Sequence, residues 1–142
     1  MLTELSLYLP NKAGQLNAVL TELSMANVNV LALSIDQAGV YSAVRIICDD
    51  VRKAKTKLKG PRYFYSETKV FAIPLPHHAG ELKKVTQLLS DNGINIEYGY
   101  LGWSPGLQNA IVLLKTNNVN RARKILRASD YEDLTNIPQV LP

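Results

Sequence analysis

The chain lacks the features that would assign it to a secreted or membrane class. Cys48 is the only cysteine among 142 residues, so no internal disulfide can form, and this usage fits a reducing compartment. No apolar run approaches the about 20 residues that a membrane-spanning helix needs. Residues 1–5 show neither the basic start nor the apolar core of a secretion signal. We therefore expect a cytoplasmic protein.

Sequence patterns for catalysis are missing too. The chain has no phosphate-binding glycine loop, no complete dinucleotide-binding fingerprint, no nucleophile elbow and no zinc-ligand spacing. Cys48 has no base nearby in sequence and is interpreted as a buried structural thiol. Asp49 and Asp50 have no further ligand at hand, and the neighbours His77 and His78 have no supporting ligand within their loop. We predict no catalytic residue, no metal site and no cofactor.

What the sequence does contain is a repeat. The segment Pro10–Leu16 (PNKAGQL) returns 66 residues later as Pro76–Leu82 (PHHAGEL). In each copy an asparagine follows fifteen residues beyond the glycine, at Asn29 and Asn95. A period this long with two copies indicates a duplicated domain with pseudo-twofold symmetry, because a solenoid needs more repeats than two. We place the units at residues 1–67 and 68–142.

Hydrophobic periodicity gives both copies the same order of elements. Leu5, Leu7 and Leu9 alternate with polar residues, which is typical of a half-buried strand. A helix is expected from about Asn11 to Asn27; Asn27 and its counterpart Gly93 readily take the left-handed conformation that ends a helix. A hairpin, a second helix and a final strand follow. The order βαββαβ, written twice, predicts two ferredoxin-like α+β units packed side by side, each an antiparallel sheet with helices on one face.

The remaining predicted strands are the hairpins 28–35 with 40–47 and 94–101 with 107–114, and the final strands 63–65 and 131–134. The polar pairs Asp49–Asp50 and Asn117–Asn118 precede the second helices and are interpreted as helix caps. Tyr98, Tyr100 and Trp103 are concentrated on one strand of the second copy. They are interpreted as core or interface packing, or as the lining of a ligand pocket or a subunit contact.

Positive charge is concentrated on the second helix of each copy. The net charge of +4 comes largely from clusters at residues 52–62 and 121–127. Apolar positions keep helical spacing there, so most cations are expected on a solvated face, with phosphate or nucleic-acid contact as the alternative. An RNA-binding module has the same element order, yet the strand VYSAVR lacks the basic-glycine-aromatic motif of that fold.

The turn from the first strand into the first helix can bind an anion. Unpaired amides and the positive end of the helix dipole face outward there. A carboxylate could lie against the amides of Ala13, Gly14 and Gln15, because glycine allows close approach; alternatively, the glycine only relieves crowding in a tight connection. Asn29 and Asn95 offer a donor and an acceptor, which suits a ligand with both a carboxylate and an ammonium group.

The spacing Asn11-x-x-Gly14 with Leu16, followed by Asn29, resembles the ACT domain. Two copies with almost no extra sequence resemble the small tandem ACT proteins of prokaryotes. The resemblance implies a non-catalytic regulatory or sensory module that binds an amino acid or similar small carboxylate at the interface between ACT units. Exposed sheet edges in such units favour a homodimer, and a partner enzyme is possible.

The resemblance also implies two groups of ligand-binding residues. The first consists of Asn11, Ala13, Gly14, Gln15 and Leu16, facing Asn95. The second consists of His77, Gly80, Glu81 and Leu82, facing Asn29. We take the first group as the better pocket and the second as an additional or vestigial one. The alternative functions are an RNA-binding module of the same fold and a ligand-free regulatory subunit of a partner enzyme.

Overall fold

The chain forms two compact α+β units of ferredoxin-like type, as the sequence predicts. The computed structural model describes residues 1–103 and 109–135. The first unit covers Thr3–Thr68, and the second begins at Lys69 and includes Met1–Leu2. In the described part of the chain, no helix is both long enough and apolar enough to cross a membrane.

The first unit builds its sheet around a central strand, β3. Its elements are β1 (Leu2–Pro10), α1 (Gln15–Met25), β2 (Val30–Ala38), β3 (Tyr41–Cys48), α2 (Val51–Leu58) and the start of β4 (Phe64–Pro76). Strand β3 lies between β2 and β1 and is antiparallel to both. Pro10 pairs with Tyr41. The loop after β1 therefore lies beside the β2–β3 turn.

One face of this sheet packs against both helices. The buried side chains of that core are Leu5, Leu7, Leu9, Val19, Leu23, Val28, Val44, Ile46, Ala54, Leu58 and Tyr63. Leu5, Leu7 and Leu9 are buried because alternate residues of a strand share a face, and each fully buried leucine contributes roughly 1.5–3 kcal/mol. A slip by one residue would move all three leucines out of this core and bring Glu4, Ser6 and Tyr8 into it, so the core fixes where β1 ends and where the following loop begins.

The second unit repeats this arrangement. Its elements are the later part of β4, α3 (Glu81–Asp91), β5 (Ile96–Trp103), β6 (Asn109–Thr116) and α4 (Val119–Ala128). Strand β6 lies between β4 and β5 and is antiparallel to both. Its core contains Phe71, Ile73, Leu75, Val85, Leu89, Ile94, Val112, Leu114, Ala122 and Leu126. Pro76 pairs with Asn109, so the loop after β4 occupies the place that the loop after β1 has in the first unit.

The predicted helix start at Asn11 is wrong. Helix α1 begins at Gln15, because the residues before it form a turn that Gly14 closes with a φ of 84°. Strands β2 and β5 begin two residues later than predicted, at Val30 and Ile96, and β3 begins one residue later, at Tyr41. The predicted start of the last hairpin strand, at residue 107, lies outside the described residues. The predicted left-handed helix ends are confirmed, with φ values of 54° at Asn27 and 67° at Gly93.

The predicted final strands also need correction. Residues 63–65 do not form a separate strand: β4 runs from Phe64 to Pro76, since no glycine or proline interrupts residues 62–73. Residues 131–134 contain only a single bridge, between Leu134 and Ala72. The described residues therefore hold six strands rather than the eight that two complete βαββαβ units would give.

Candidate functional site

The two loops that the sequence singles out have the same backbone conformation. Gly14 and Gly80 immediately precede α1 and α3, with φ values of 84° and 92°. A Cβ added at either glycine would meet no atom within 4 Å. Crowding therefore does not explain these glycines, and the left-handed backbone does, since residues with a Cβ rarely adopt it.

The first helix of each unit starts without a side-chain cap. Neither α1 nor α3 has a side-chain hydrogen bond to its first turn. By contrast, Asp50 Oδ1 accepts from the Lys53 amide at the start of α2, and Asn118 Oδ1 accepts from the Arg121 amide at the start of α4, both at 3.0 Å. The first amide of each of these helices is already engaged within its loop, since the Gln15 amide donates to the Lys12 carbonyl at 3.3 Å and the Glu81 amide to the His78 carbonyl at 3.4 Å. The next two amides, at residues 16–17 and 82–83, are available to an anion at the positive end of the helix dipole.

Main-chain hydrogen bonds fix the position of the first loop. The Asn11 amide donates to the Val40 carbonyl at 2.8 Å, and the Lys12 amide donates to the Pro10 carbonyl at 2.8 Å. The Ser42 hydroxyl donates to Asn11 Oδ1 at 3.4 Å. The loop is therefore tied to the β2–β3 turn, with the Asn11 side chain at the surface.

Asn29 and Asn95 are both exposed, and each is held through its main chain. The Asn29 amide donates to Asp49 Oδ1 at 2.9 Å, and the Asp49 amide donates back to the Asn29 carbonyl at 3.0 Å. Asn95 and Asn117 exchange the same two bonds, each at 3.1 Å. Asp49 and Asn117 are therefore not helix caps as predicted, whereas Asp50 and Asn118, the second members of the pairs, are.

Within one unit, the loop and the asparagine lie at opposite ends of the sheet. Asn11 bonds to Val40 at the β2–β3 turn, and Asn29 bonds to Asp49 just beyond the far end of β3. Helix α1, which runs between them, has 11 residues and spans about 16 Å. An amino acid is too short to contact both the loop and the asparagine of the same unit.

A cleft of about 300 Å³ opens beside the loop of the second unit. Its lining residues come from β4, the loop, α3, β5 and β6: Leu75, Pro76, His77, His78, Ala79, Glu81, Leu82, Leu101, Ala110 and Val112. The sequence prediction included His77, Glu81 and Leu82 but missed Leu101, Ala110 and Val112. The register shows why these join the cleft, because Leu101 pairs with Val112 and Leu75 pairs with Ala110 across neighbouring strands.

One carboxylate lies at the edge of this cleft. The Glu81 side chain is 16% exposed, and its Oε1 lies 2.7 Å from Lys84 Nζ and 3.5 Å from His78 Nδ1. The hydrogen bond from Lys84 lowers the pKa of Glu81, and the same bond raises the pKa of Lys84. Glu81 is therefore a stable anion at neutral pH.

Tyr98 and Tyr100 of β5 do not line the cleft. Tyr98 and Tyr100 are half-buried and alternate with Leu101, so their rings lie on the other face of the strand. The side chain of Trp103 falls outside the described residues. The tyrosines therefore do not form the side-chain pocket at this loop that the sequence offered as one interpretation.

The basic clusters lie at the surface, as predicted, and several of their members pair with carboxylates of the same unit. Lys55 Nζ lies 2.5 Å from Glu67 Oε1, and Arg62 Nη1 lies 3.7 Å from Glu22 Oε1. In the second unit, Arg123 and Arg127 both contact Asp133, whose side chain is 4% exposed. Some cations of each basic cluster thus form ion pairs within their own unit.

Two other observations bear on chemistry. Burial, with a smaller effect from Asp49, raises the pKa of the Cys48 thiol to about 12, so the reactive thiolate is scarce at neutral pH. Among residues 1–103 and 109–135, no group of three His, Cys, Asp or Glu side chains is arranged to hold a metal ion.

A duplicated ferredoxin-like unit, with a glycine directly before the first helix of each copy, defines the class of tandem α+β proteins to which the chain is compared. The sequence profile of the ACT domain pair matches residues 1–137, and the chain belongs to this family. A crystal structure of a protein from Bacteroides thetaiotaomicron is similar, with 31% identity, a TM-score of 0.86 and coverage of 94% of this chain and 91% of that one. No curated protein sequence matches the chain.

The fold is also similar to that of regulatory subunits of aspartate kinase. The ligand-free subunit from Thermus thermophilus is 15% identical with a TM-score of 0.67, and 91% of each chain is covered. The subunit from Thermus flavus is 16% identical with a TM-score of 0.61, and 90% of each chain is covered. At these identities the likeness shows the fold alone.

Proposed function

We propose that the protein is a non-catalytic, cytoplasmic regulatory or sensory module that binds an amino acid or a similar small carboxylate at the interface between ACT units. The observation that carries the proposal is the contrast among the four helix starts. Helices α2 and α4 are capped by Asp50 and Asn118, while α1 and α3, at equivalent places in the two units, follow glycines and leave the amides of residues 16–17 and 82–83 without a side-chain cap. A ligand carboxylate would accept hydrogen bonds from these amides.

The proposed ligand contacts come from two groups of residues. The first group is Asn11, Ala13, Gly14, Gln15 and Leu16, with Asn95 from a neighbouring ACT unit. The second group is His77, Gly80, Glu81 and Leu82, with Asn29 from a neighbouring ACT unit. Because the loop and the asparagine of one unit lie at its opposite ends, a ligand that needs both must take them from different units. Such a ligand would favour one arrangement of units over another, which is how a small molecule can regulate.

The comparisons support a regulatory role alongside an enzyme. Regulatory subunits of aspartate kinase have this fold over nearly their whole length. We propose that the chain likewise regulates a partner enzyme and, because exposed sheet edges favour pairing, that it acts as a homodimer, with residues 1–67 and 68–142 as its two functional units.

A thermal-shift screen of the full chain against the standard amino acids tests the proposal. A ligand present at a hundred times its dissociation constant stabilises the folded state by about 2.7 kcal/mol, which raises the melting temperature by several degrees. At least one amino acid is expected to give such a shift. If none does at millimolar concentration, the proposed function is wrong.

Variants of the two glycines locate the site. In the double variant Gly14→Asp, Gly80→Asp, two new carboxylates next to the helix starts would repel a ligand carboxylate, so the ligand-induced shift is expected to disappear. The matched control is Gly14→Ala, Gly80→Ala, which imposes the same backbone strain, about 1–2 kcal/mol per site, without the charge. A shift that survives in the aspartate variant would place the ligand elsewhere, and circular dichroism would check that both variants are folded.

A further inference from the structure

We propose that the cleft of the second unit selects an amino acid with a large apolar side chain. This inference rests on the proposed function and names its ligand class. The cleft volume of about 300 Å³ is at the lower end of the range of roughly 300–1,000 Å³ for small-molecule sites, which is appropriate for a single amino acid.

The walls of the cleft match an apolar side chain. Leu75 and Val112 are 2% and 3% exposed and form part of the core, whereas Leu82 and Leu101 are 44% and 63% exposed. A ligand side chain between them would remove the exposed parts of both leucines from water, together with its own apolar surface. A charged side chain would lose its hydration there without gaining a partner from these four residues.

The polar groups of the cleft match the other end of an amino acid. Helix α3 has no side-chain cap, and although the Glu81 amide donates to the His78 carbonyl, the amides of residues 82 and 83 can donate to the ligand carboxylate. Glu81, held beside the cleft by Lys84, can accept from the ligand ammonium group. An acidic ligand side chain would also lose its hydration among the apolar walls without gaining a partner there, so aspartate and glutamate should bind poorly.

The first unit differs at the corresponding positions and supplies a matched control. Gln15 replaces Glu81, which removes the carboxylate, and Ile35 occupies the strand position equivalent to Leu101. Ile35 is 48% exposed on β2, so a substitution there alters the surface to a degree comparable with one at Leu101.

Calorimetric titration of the full chain with leucine, isoleucine, phenylalanine, alanine, aspartate and lysine tests the inference. At least one of the three large apolar amino acids is expected to bind about tenfold or more tightly than alanine, and aspartate and lysine are expected to bind more weakly still. Leu101→Asp should weaken apolar amino-acid binding about tenfold or more, and Ile35→Asp should leave it within about twofold. Leu82→Asn, on the opposite rim of the cleft, is expected to weaken binding too. It provides a second test of the cleft if the Leu101 variant does not fold.

The outcomes separate this inference from the proposed function. If aspartate, lysine or another polar amino acid binds and the large apolar ones do not, the selectivity is wrong while amino-acid sensing stands. If apolar amino acids bind but Ile35→Asp rather than Leu101→Asp abolishes the binding, the cleft is not the site. If no amino acid binds to the folded wild-type chain, the proposed function itself fails.

Discussion

At the scale of single residues, Asn29 and Asn95 are held in place by hydrogen bonds of their main-chain groups. The main-chain amide of each donates to a side-chain oxygen of its partner, and the partner's amide donates back to its carbonyl; the partners are Asp49 for Asn29 and Asn117 for Asn95. The amide side chains take no part in these bonds and belong to exposed residues. Replacing the side chain therefore tests ligand binding without removing the main-chain bonds, which makes Asn95→Ala a useful companion to the glycine variants.

Cys48 gives a prediction at the same scale. Burial favours its neutral thiol and raises its pKa to about 12, so at pH 8 only about one molecule in ten thousand carries the thiolate. Alkylation by iodoacetamide at pH 8, followed by mass spectrometry, is expected to be at least about 100-fold slower in the folded chain than in urea. The contribution of the neutral thiol to stability is present below the ordinary thiol pKa and declines as the pH rises toward about 12.

Equal alkylation rates in the folded and unfolded chains would contradict this account. A Cys48→Ser variant controls for reaction at other side chains, since it should gain no label in either state. A fast-reacting folded Cys48 would also reopen the question of a functional thiol, which the sequence and the structure both argue against.

At the scale of elements, two of the four helices, α2 and α4, start with a side-chain cap. The stabilising effect of the α2 cap depends on pH, and that of the α4 cap does not. The hydrogen bond from the Lys53 amide lowers the pKa of Asp50, so this cap stabilises the chain above the ordinary aspartate pKa and loses its effect as the pH falls through the lowered value. Asn118 caps α4 without a titrating group. Asp50→Asn should therefore reduce the loss of melting temperature between pH 7 and pH 3.

The matched control is Asn118→Asp at the start of α4. It would introduce a titrating cap where there was none, so melting temperature should fall more steeply toward pH 3 than in the wild type. If the melting temperatures of both variants depend on pH as that of the wild type does, the caps make no measurable contribution to stability. The contrast between capped and uncapped helices would then have no effect on the free energy of unfolding.

Local sequence patterns predicted most helices and strands, because the spacing of apolar residues and the position of a glycine act directly on the local backbone. The alternation of Leu5, Leu7 and Leu9 fixes a strand face, and Gly14 and Gly80 mark positions that require a positive φ. The sequence prediction ended the first unit with a separate short strand at 63–65, although no glycine or proline interrupts residues 62–73, where the structure has one continuous strand.

Other features depend on contacts that sequence spacing does not specify. Asp49 and Asp50 are chemically the same, and only the nearness of Asn29 to β3 makes one a tether and the other a cap. The cleft was missed for the same reason, because Leu101 meets Val112 only through the register of β5 and β6.

At the scale of the whole molecule, the duplication has kept the backbone and changed the chemistry of the two loops. Glu81 stands where the first copy has Gln15, and Leu101 stands where it has Ile35. His77 likewise replaces Asn11. The sequence favoured the first loop on its likeness to the family pattern, while the apolar cleft and its carboxylate favour the second for an apolar amino acid.

This asymmetry predicts one tight site per chain for the preferred apolar amino acid. Gly80→Asp is expected to weaken that site at least about tenfold, because a second carboxylate would oppose the ligand carboxylate at the start of α3. Gly14→Asp carries a comparable backbone strain at a left-handed position and should leave the tight site intact. Calorimetric stoichiometry and affinity of both variants check this, and loss of binding in Gly14→Asp alone would show that the first loop holds the ligand.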